Sequence, residues 1–255
     1  MSPTALCAYA ITTDHAPDLS GTPAVSFEVE PRLIAYLGVA LVVAEVDVDR
    51  FAGLGIEPAE DGRLARLARE HDAVVRAVFR CAPVLPLRFG TVITDSDAAL
   101  LLLRAHHEEA RVWLDRVQGR REWGVRGRGS RIDDTTVPGE VDLANVSGTQ
   151  YLALRRQQLT GVEDARRGRI AAIRTLHGEL SRRAAESTSR DHPGDLLLDA
   201  AYLVDTTAEA DFHAEVRRLS DELGPRGVSV EVTGPWPPYS FTQIEFAVAG
   251  VVANG

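Results

Sequence analysis

Apolar and polar residues repeat along the first third of the chain with two different periods, which predict strands and then a helix. Leu6–Thr12 and the valine-rich run Val39–Val46 are predicted as strands, and the second is apolar enough to be covered on both faces. Ala24–Glu30 alternates apolar and polar residues, as a half-buried strand does. From Leu64 to Val78 the apolar residues recur at helical spacing, so we predict a helix there.

The next segment is predicted to be extended and then helical. Pro83 and Pro86 end the first helix, and Val84–Ile93 is extended. Asp95 or Ser96 is the expected N-cap of a helix that runs to about Val117.

The second half of the chain has the predicted order strand, helix, strand, helix, strand. The strands are Glu122–Ile132, Leu196–Val204 and Val228–Thr233, with a long helix over Ser147–Glu186, a turn over Ser187–Gly194, and a second helix opened by a capping box at Thr206–Glu209. This split β-α-β order predicts a ferredoxin-like sandwich. We therefore expect an α+β protein with an N-terminal domain over residues 1–118, the ferredoxin-like domain over 119–241, and a tail over 242–255.

A proline-rich segment that places Trp236 and Tyr239 among its prolines follows the last predicted strand. Gly234–Phe241 contains three prolines together with Trp236 and Tyr239. Because proline fixes φ and removes a donor, we expect a stiff, polyproline-like ribbon that is neither helical nor inside a central strand. The residues expected to fix its shape are Gly234, Pro235, Pro237 and Pro238. The two aromatic side chains are then either anchors for a partner protein or a rigid cap over the domain's own core.

Arg88 is a charge inside the otherwise apolar stretch Leu85–Thr91, beside Phe89 and Gly90. An arginine in this position points outward at an edge, pairs with a carboxylate, or lies in a cleft where a partner's acid can reach it. We expect Gly90 to have a structural role and Arg88 and Phe89 to contact a partner.

The composition of the chain argues against some classes of function. The net charge is −9 with a pI near 5.3, which argues against a general binder of nucleic acid or anionic membranes. All 28 basic side chains are arginine. The N-terminus lacks a signal-peptide pattern and the chain lacks an 18-residue apolar stretch, so we expect a cytoplasmic protein.

Candidate catalytic and metal-binding residues are few. His106 and His107 are adjacent, so they lack the i, i+4 spacing of a zinc helix, and no metal site is predicted. His71 lies on an apolar helix stripe and is expected to be a buried, hydrogen-bonded histidine with a structural role. We predict no cofactor and no catalytic residue. The alternative is a ligand-binding module or enzyme on the ferredoxin-like fold, with His71 and Arg88 lining a pocket.

Several segments, in order along nearly the whole chain, resemble the gas vesicle protein F/L (GvpL/GvpF) family. The most specific are Val84–Val92, with its Arg-Phe-Gly sequence, and Thr233–Phe241. The other matching segments are the first strand with Tyr9, Leu41–Val46, His71–Val75, Glu122–Val125 and Gly148–Leu152.

The resemblance implies a non-enzymatic accessory protein of gas vesicle assembly with two α+β domains. Its implied partners are the hydrophobic gas vesicle shell protein and other gas vesicle accessory proteins, and its implied location is the cytoplasm, in association with gas vesicles. Partner contact is then expected at Arg88, Phe89, Trp236 and Tyr239, together with the arginine-rich helix start at Arg155 and Arg156.

Overall fold

The computed structural model describes residues 4–15, 19, 30–47, 62–130, 148–190 and 196–242. The chain divides into two compact units. Unit 1 contains Met1–Arg121 together with Trp236–Gly255, and unit 2 contains Glu122–Pro235. Residues 236–241, which we predicted in the second domain, therefore lie in unit 1. The physical reason is that Trp236 and Tyr239 contact a helix of unit 1, as described below.

Unit 1 is built on an antiparallel sheet of five strands. The strands are β1 (Thr4–Thr13), β2 (Arg32–Tyr36), β3 (Val39–Asp47), β4 (Val84–Pro86) and β5 (Val92–Ile93). The sheet order is β2-β3-β1-β4, and β5 also pairs with β1. The predicted strands at β1 and β3 are confirmed, and β3 is buried on both faces from Val39 to Ala44. The strand predicted at Ala24–Glu30 lies outside the described residues except for Glu30, which is not in a strand.

Three helices contact this sheet: α1 (Arg63–Phe79), α2 (Ser96–Ala105) and α3 (His107–Val117). The buried side of α1, with Leu67, Val74 and Val78, packs against a core that includes Tyr9 and Val42 of the sheet. Of the two predicted N-cap residues, Asp95 caps α2 and accepts a hydrogen bond of 2.9 Å from the Ala98 N–H. The single helix expected up to Val117 is two helices, because the backbone at His106 leaves helical geometry with φ −114°.

Unit 2 spans the order β-α-β-β-α-β. Its elements are β6 (Arg120–Gly129), α4 (Gly148–Ser181), β7 (Glu186–Ser189), β8 (Leu196–Asp205), α5 (Glu209–Leu223) and β9 (Val228–Trp236). They form a four-stranded sheet in the order β7-β8-β6-β9. The apolar faces of α4 and α5 pack on this sheet through residues such as Leu176, Leu180 and Phe212. The α+β class is confirmed, and the ferredoxin-like assignment of this unit stays a prediction.

Two local predictions in this half are wrong. The turn expected at Ser187–Gly194 is strand β7 as far as Ser189, a short polar strand that pairs with β8. The capping box at Thr206–Glu209 does not form, because Thr206–Ala208 make a 3₁₀ turn and α5 begins at Glu209 without a side-chain cap.

The proline-rich segment is not one extended ribbon. Strand β9 continues through Gly234 and Pro235 to Trp236, and a 3₁₀ turn follows at Tyr239–Phe241. A proline is compatible with β9 because the strand lies at the edge of the sheet order, and edge strands tolerate proline.

Candidate functional site

The turn that carries Arg88 projects from the sheet of unit 1 between β4 and β5. The Thr91 N–H donates to the Arg88 carbonyl oxygen at 3.2 Å, and Gly90 has φ +85°. Bonds to β1 hold the two ends of this turn, from the Leu87 N–H to the Tyr9 carbonyl and from the Ala8 N–H to the Thr91 carbonyl, both at 2.9 Å. The turn is therefore fixed on a buried strand. Gly90 supplies a left-handed backbone that other residues adopt only with strain.

His71 joins this turn to α1 from inside the unit. It is buried, and its Nε2–H donates to the Leu87 carbonyl oxygen at 3.1 Å. The ring packs against Tyr9, with centroids 5.1 Å apart, and meets Phe89 edge-on at 5.7 Å. Burial lowers the pKa of His71 from about 6.5 to about 4, against the opposing effects of the Leu87 bond and the Asp72 charge. The imidazole is consequently neutral near pH 7.

The alternative in which His71 and Arg88 line one pocket has no support from these contacts. His71 is enclosed by Tyr9, Leu87 and Phe89, whereas Arg88 is exposed. The Nδ1 atom of His71 is buried and has no hydrogen-bond partner among the described residues. Because burial lowers its pKa to about 4, the enclosed imidazole is a weak base and is poorly placed to take a proton from an external substrate.

The next residues of α1 hold the two aromatic side chains of the proline-rich segment. The Tyr239 hydroxyl donates to one carboxylate oxygen of Asp72 at 2.7 Å, and Arg76 Nε donates to the other oxygen. The Arg76 guanidinium lies over the Trp236 ring, 4.0 Å from its centroid. Asp72, Arg76, Trp236 and Tyr239 therefore form one connected cluster, which we call the α1 patch.

The α1 patch is both held in place and accessible. The side chains of Asp72 and Arg76 are each 36% exposed, Tyr239 is 38% exposed, and Trp236 is half-buried. Pro237 and Pro238 are buried, so the backbone between the aromatic residues is anchored below the surface. Within the patch, the charge of Arg76 is balanced by Asp72. The exposed aromatic edges are consequently the features most available to an apolar partner.

The structure brings together two blocks that are distant in sequence. His71 contacts the Arg88 turn and its neighbour Asp72 contacts Tyr239, so one turn of α1 links the Arg88 block to the proline-rich segment. Sequence reasoning missed Asp72 and Arg76. Their i, i+4 spacing was a signal for an ion pair on the helix surface, but nothing local pointed to partners more than 150 residues away.

Arg155 and Arg156 belong to α4 of unit 2, so they are not part of the same compact unit as the patch. The Arg156 side chain is exposed, and that of Arg155 lies outside the described side chains.

The adjacent histidines have structural contacts. His106 Nδ1 lies 2.9 Å from Glu109 Oε2, and His107 Nε2 donates to the Leu37 carbonyl at 3.0 Å. Within the described ranges, no cluster of histidine, cysteine and acidic residues could hold a metal ion. In the same part of the chain, none of the helices combines the length and the apolar character needed to cross a membrane.

A family model and a similar protein of known name point to the same family. Residues 5–243 match the family model described as "Gas vesicle synthesis protein GvpL/GvpF". The chain is 34% identical over 227 residues to gas vesicle protein L of Streptomyces sp. (strain CB03234), covering 84% of each chain.

Two solved structures share the fold. The crystal structure of gas vesicle protein GvpF from Anabaena sp. PCC7120 aligns with a TM-score of 0.68 and 19% identity, covering 95% of this chain and 97% of that one. GvpF from Microcystis aeruginosa aligns with a TM-score of 0.65 and 19% identity, covering 94% and 99%.

Proposed function

This chain belongs to the gas vesicle synthesis protein GvpL/GvpF family, and we propose that it binds the hydrophobic gas vesicle shell protein during assembly. The family gives the chain a role in gas vesicle formation and an association with gas vesicles. The proposal adds a direct contact with the shell protein, made in the cytoplasm by a chain without enzymatic activity. Other gas vesicle accessory proteins are proposed as further partners.

The observation that carries this proposal is the α1 patch. Tryptophan, tyrosine and arginine are the residues that most often dominate binding energy at protein interfaces. Here one of each is fixed before any partner arrives, by the Asp72 carboxylate and by stacking of Arg76 on Trp236. Binding to such a surface costs little side-chain entropy, because the rotamers are already held.

The charge of the chain suits this role. A very apolar shell subunit aggregates if its surface stays uncovered. A partner with a net charge of −9 that covers part of that surface keeps the complex dispersed through like-charge repulsion.

The Arg88 turn is proposed as the adjoining part of this contact. Phe89 is half-buried against His71, so its contribution is to fix the turn, while the exposed Arg88 side chain is placed to meet an acidic or carbonyl group of the partner. Arg155 and Arg156 are proposed as a second, basic contact from unit 2.

Alanine substitution in the α1 patch tests the proposal. Trp236→Ala and Arg76→Ala are each expected to weaken capture of co-expressed shell protein by about tenfold or more, the effect of removing a central anchor. Arg69→Ala is the matched control, since Arg69 is an exposed arginine on the same helix. Circular dichroism and thermal unfolding show whether each variant is folded. Unchanged capture by folded Trp236→Ala and Arg76→Ala proteins would overturn the proposal.

A further inference from the structure

Helix α4 is divided into a packed half and an exposed half. From Ala172 to Leu180 its apolar side chains are in the core of unit 2. All the described side chains between Arg156 and Gly168 are exposed. At 1.5 Å per residue, this exposed half is about 18 Å long. A helix that is exposed on all sides over this length is stable only with a partner or with many local ion pairs.

The apolar line of the packed half is interrupted by two arginines and resumes in the exposed half. Ile173, Leu176 and Leu180 are buried, and they follow one another at steps of three and four residues. The same steps taken backwards reach Arg169, Arg166, Val162 and Leu159. Leu159 is 55% exposed and Val162 is 39% exposed. Steps of three and four are the pattern by which two helices bury a shared seam.

Two opposite charges flank the exposed Leu159–Val162 pair. Arg156 lies three residues before Leu159, and Glu163 directly follows Val162. Both side chains are on exposed positions, and within the described residues the structure gives neither of them an ion-pair partner. Along the helix, a basic residue therefore comes first, two apolar residues follow, and an acidic residue comes last.

When two copies of this helix lie antiparallel, the basic end of each sequence faces the acidic end of the other. In an antiparallel pair of α4 helices centred between residues 160 and 161, Leu159 of one copy lies opposite Val162 of the other. In the heptad that these two residues define, Arg156 and Glu163 occupy equivalent flanking positions, and such positions meet each other in antiparallel pairs. The symmetry axis then makes the Arg156–Glu163 pair twice, as an isologous interface requires.

We propose that the exposed half of α4 binds a second copy of this chain in antiparallel orientation, with Leu159 packed on Val162 and Arg156 paired with Glu163 across the two-fold axis. Two helical turns bury less than the ~1,200 Å² typical of stable interfaces, so the association is weak and depends on concentration. Arg156 then pairs with a second copy of the chain in addition to the proposed shell-protein contact, and this interface does not rest on the proposed function.

Charge exchange in the full-length chain tests the pairing, with sedimentation velocity measured over increasing concentration. Arg156→Glu and Glu163→Arg are each expected to weaken self-association about tenfold or more, because both symmetric pairs become repulsive. The double variant restores it. An equimolar mixture of the two single variants also restores it, because a mixed dimer contains only attractive pairs.

Cysteine trapping tests the orientation. In a Cys81→Ser background, which removes the exposed native thiol and leaves the buried Cys7, Leu159→Cys and Val162→Cys chains are mixed and oxidised. The antiparallel arrangement predicts mixed 159–162 disulfides in preference to 159–159 and 162–162 species.

The proposal is overturned by a wild-type chain that stays monomeric at every concentration, by preferential 159–159 and 162–162 disulfides, or by no restoration in the charge-exchanged mixture. Shell-protein capture measured on the same variants separates this interface from the proposed function. If Arg156→Glu loses shell-protein capture, the mixture does not restore capture, and self-association is unchanged, then Arg156 belongs to the shell-protein contact instead.

Discussion

Helices α1 and α4 both carry arginines on an exposed face, but the partners of those arginines differ. Arg76 of α1 contacts Asp72 one turn away and also Trp236, which is 160 residues later in the chain. In the exposed half of α4, the one ion pair that Arg167 makes among the described residues is with Asp164, three residues before it. The first helix has a fixed, composite surface. In the exposed half of the second helix, the described side chains do not pack against the rest of unit 2.

This difference separates two kinds of binding surface. A patch that is held by long-range contacts offers a partner a fixed shape at low entropic cost. A helix face with only local pairs keeps its side chains mobile, and its specificity depends on the order of charge and apolar residues along it. Four changes test whether the division between the two regions is real.

The largest expected effect is a difference in stability between variants in the packed and the exposed half of α4. Leu176→Ala removes a fully buried side chain from the core of unit 2 and is expected to lower the free energy of unfolding by about 2–5 kcal/mol. Leu159→Ala, on the same seam, is expected to change it by no more than about 0.5 kcal/mol. Urea denaturation of both variants gives the comparison, and equal losses would mean that Leu159 is part of the core.

The next effect is a dependence of stability on pH that arises from His71. Its pKa is about 6.5 when unfolded and about 4 when folded, so the unfolded chain binds more protons between these values. Stability is therefore lost as pH falls through this window, by about 2 kcal/mol from His71 alone between pH 7.5 and pH 5. Urea denaturation at both pH values, repeated with His71→Gln, isolates this contribution. An equal loss in the variant would assign it to other groups.

A smaller effect on stability is expected from replacing one glycine by alanine in the Arg88 turn and another in the exposed half of α4. Gly90→Ala places a side chain at φ +85° and is expected to destabilise the protein by about 1–2 kcal/mol. Gly161→Ala is expected to stabilise it by about 0.5–1 kcal/mol, because the position is inside a helix and has open space around it. Thermal unfolding measures both, and a stabilising Gly90→Ala would contradict the account of the turn.

The smallest effect is the coupling between the side chains of the patch. A double-mutant cycle on Arg76 and Trp236 is expected to give about 0.5–1 kcal/mol, the range for a partly exposed cation–π pair. The matched cycle on Asp164 and Arg167 of α4 is expected to give about 0.2–0.5 kcal/mol. If the two couplings are equal, the α1 patch is no more fixed than the α4 face.

Much of the fold could be predicted from local pattern. The valine-rich run of β3, the helical stripe of α1 and the Asp95 cap of α2 are signals contained within a few residues, and the structure has each of them. Strand β7 was missed because its four residues are polar and have no apolar period of their own. It is a strand because β8 supplies the backbone partners.

The candidate site could be predicted only in part. The segments around Arg88 and Trp236 stand out because their proline, glycine and aromatic content is unusual within a short window. Asp72 and Arg76 do not stand out, since an acidic and a basic residue one turn apart are common on any exposed helix. Only the fold places them beside Tyr239 and Trp236.

Unit 1 is interrupted in the chain by unit 2, since its first segment ends at Arg121 and it resumes at Trp236. During translation, Asp72 and Arg76 leave the ribosome well before Trp236 and Tyr239, with the whole of unit 2 in between. A nascent or prematurely terminated chain therefore lacks the aromatic half of the patch even where its first sheet has folded. Only a polypeptide synthesised past Tyr239 can present the complete surface, so incomplete products cannot compete for whatever that surface binds.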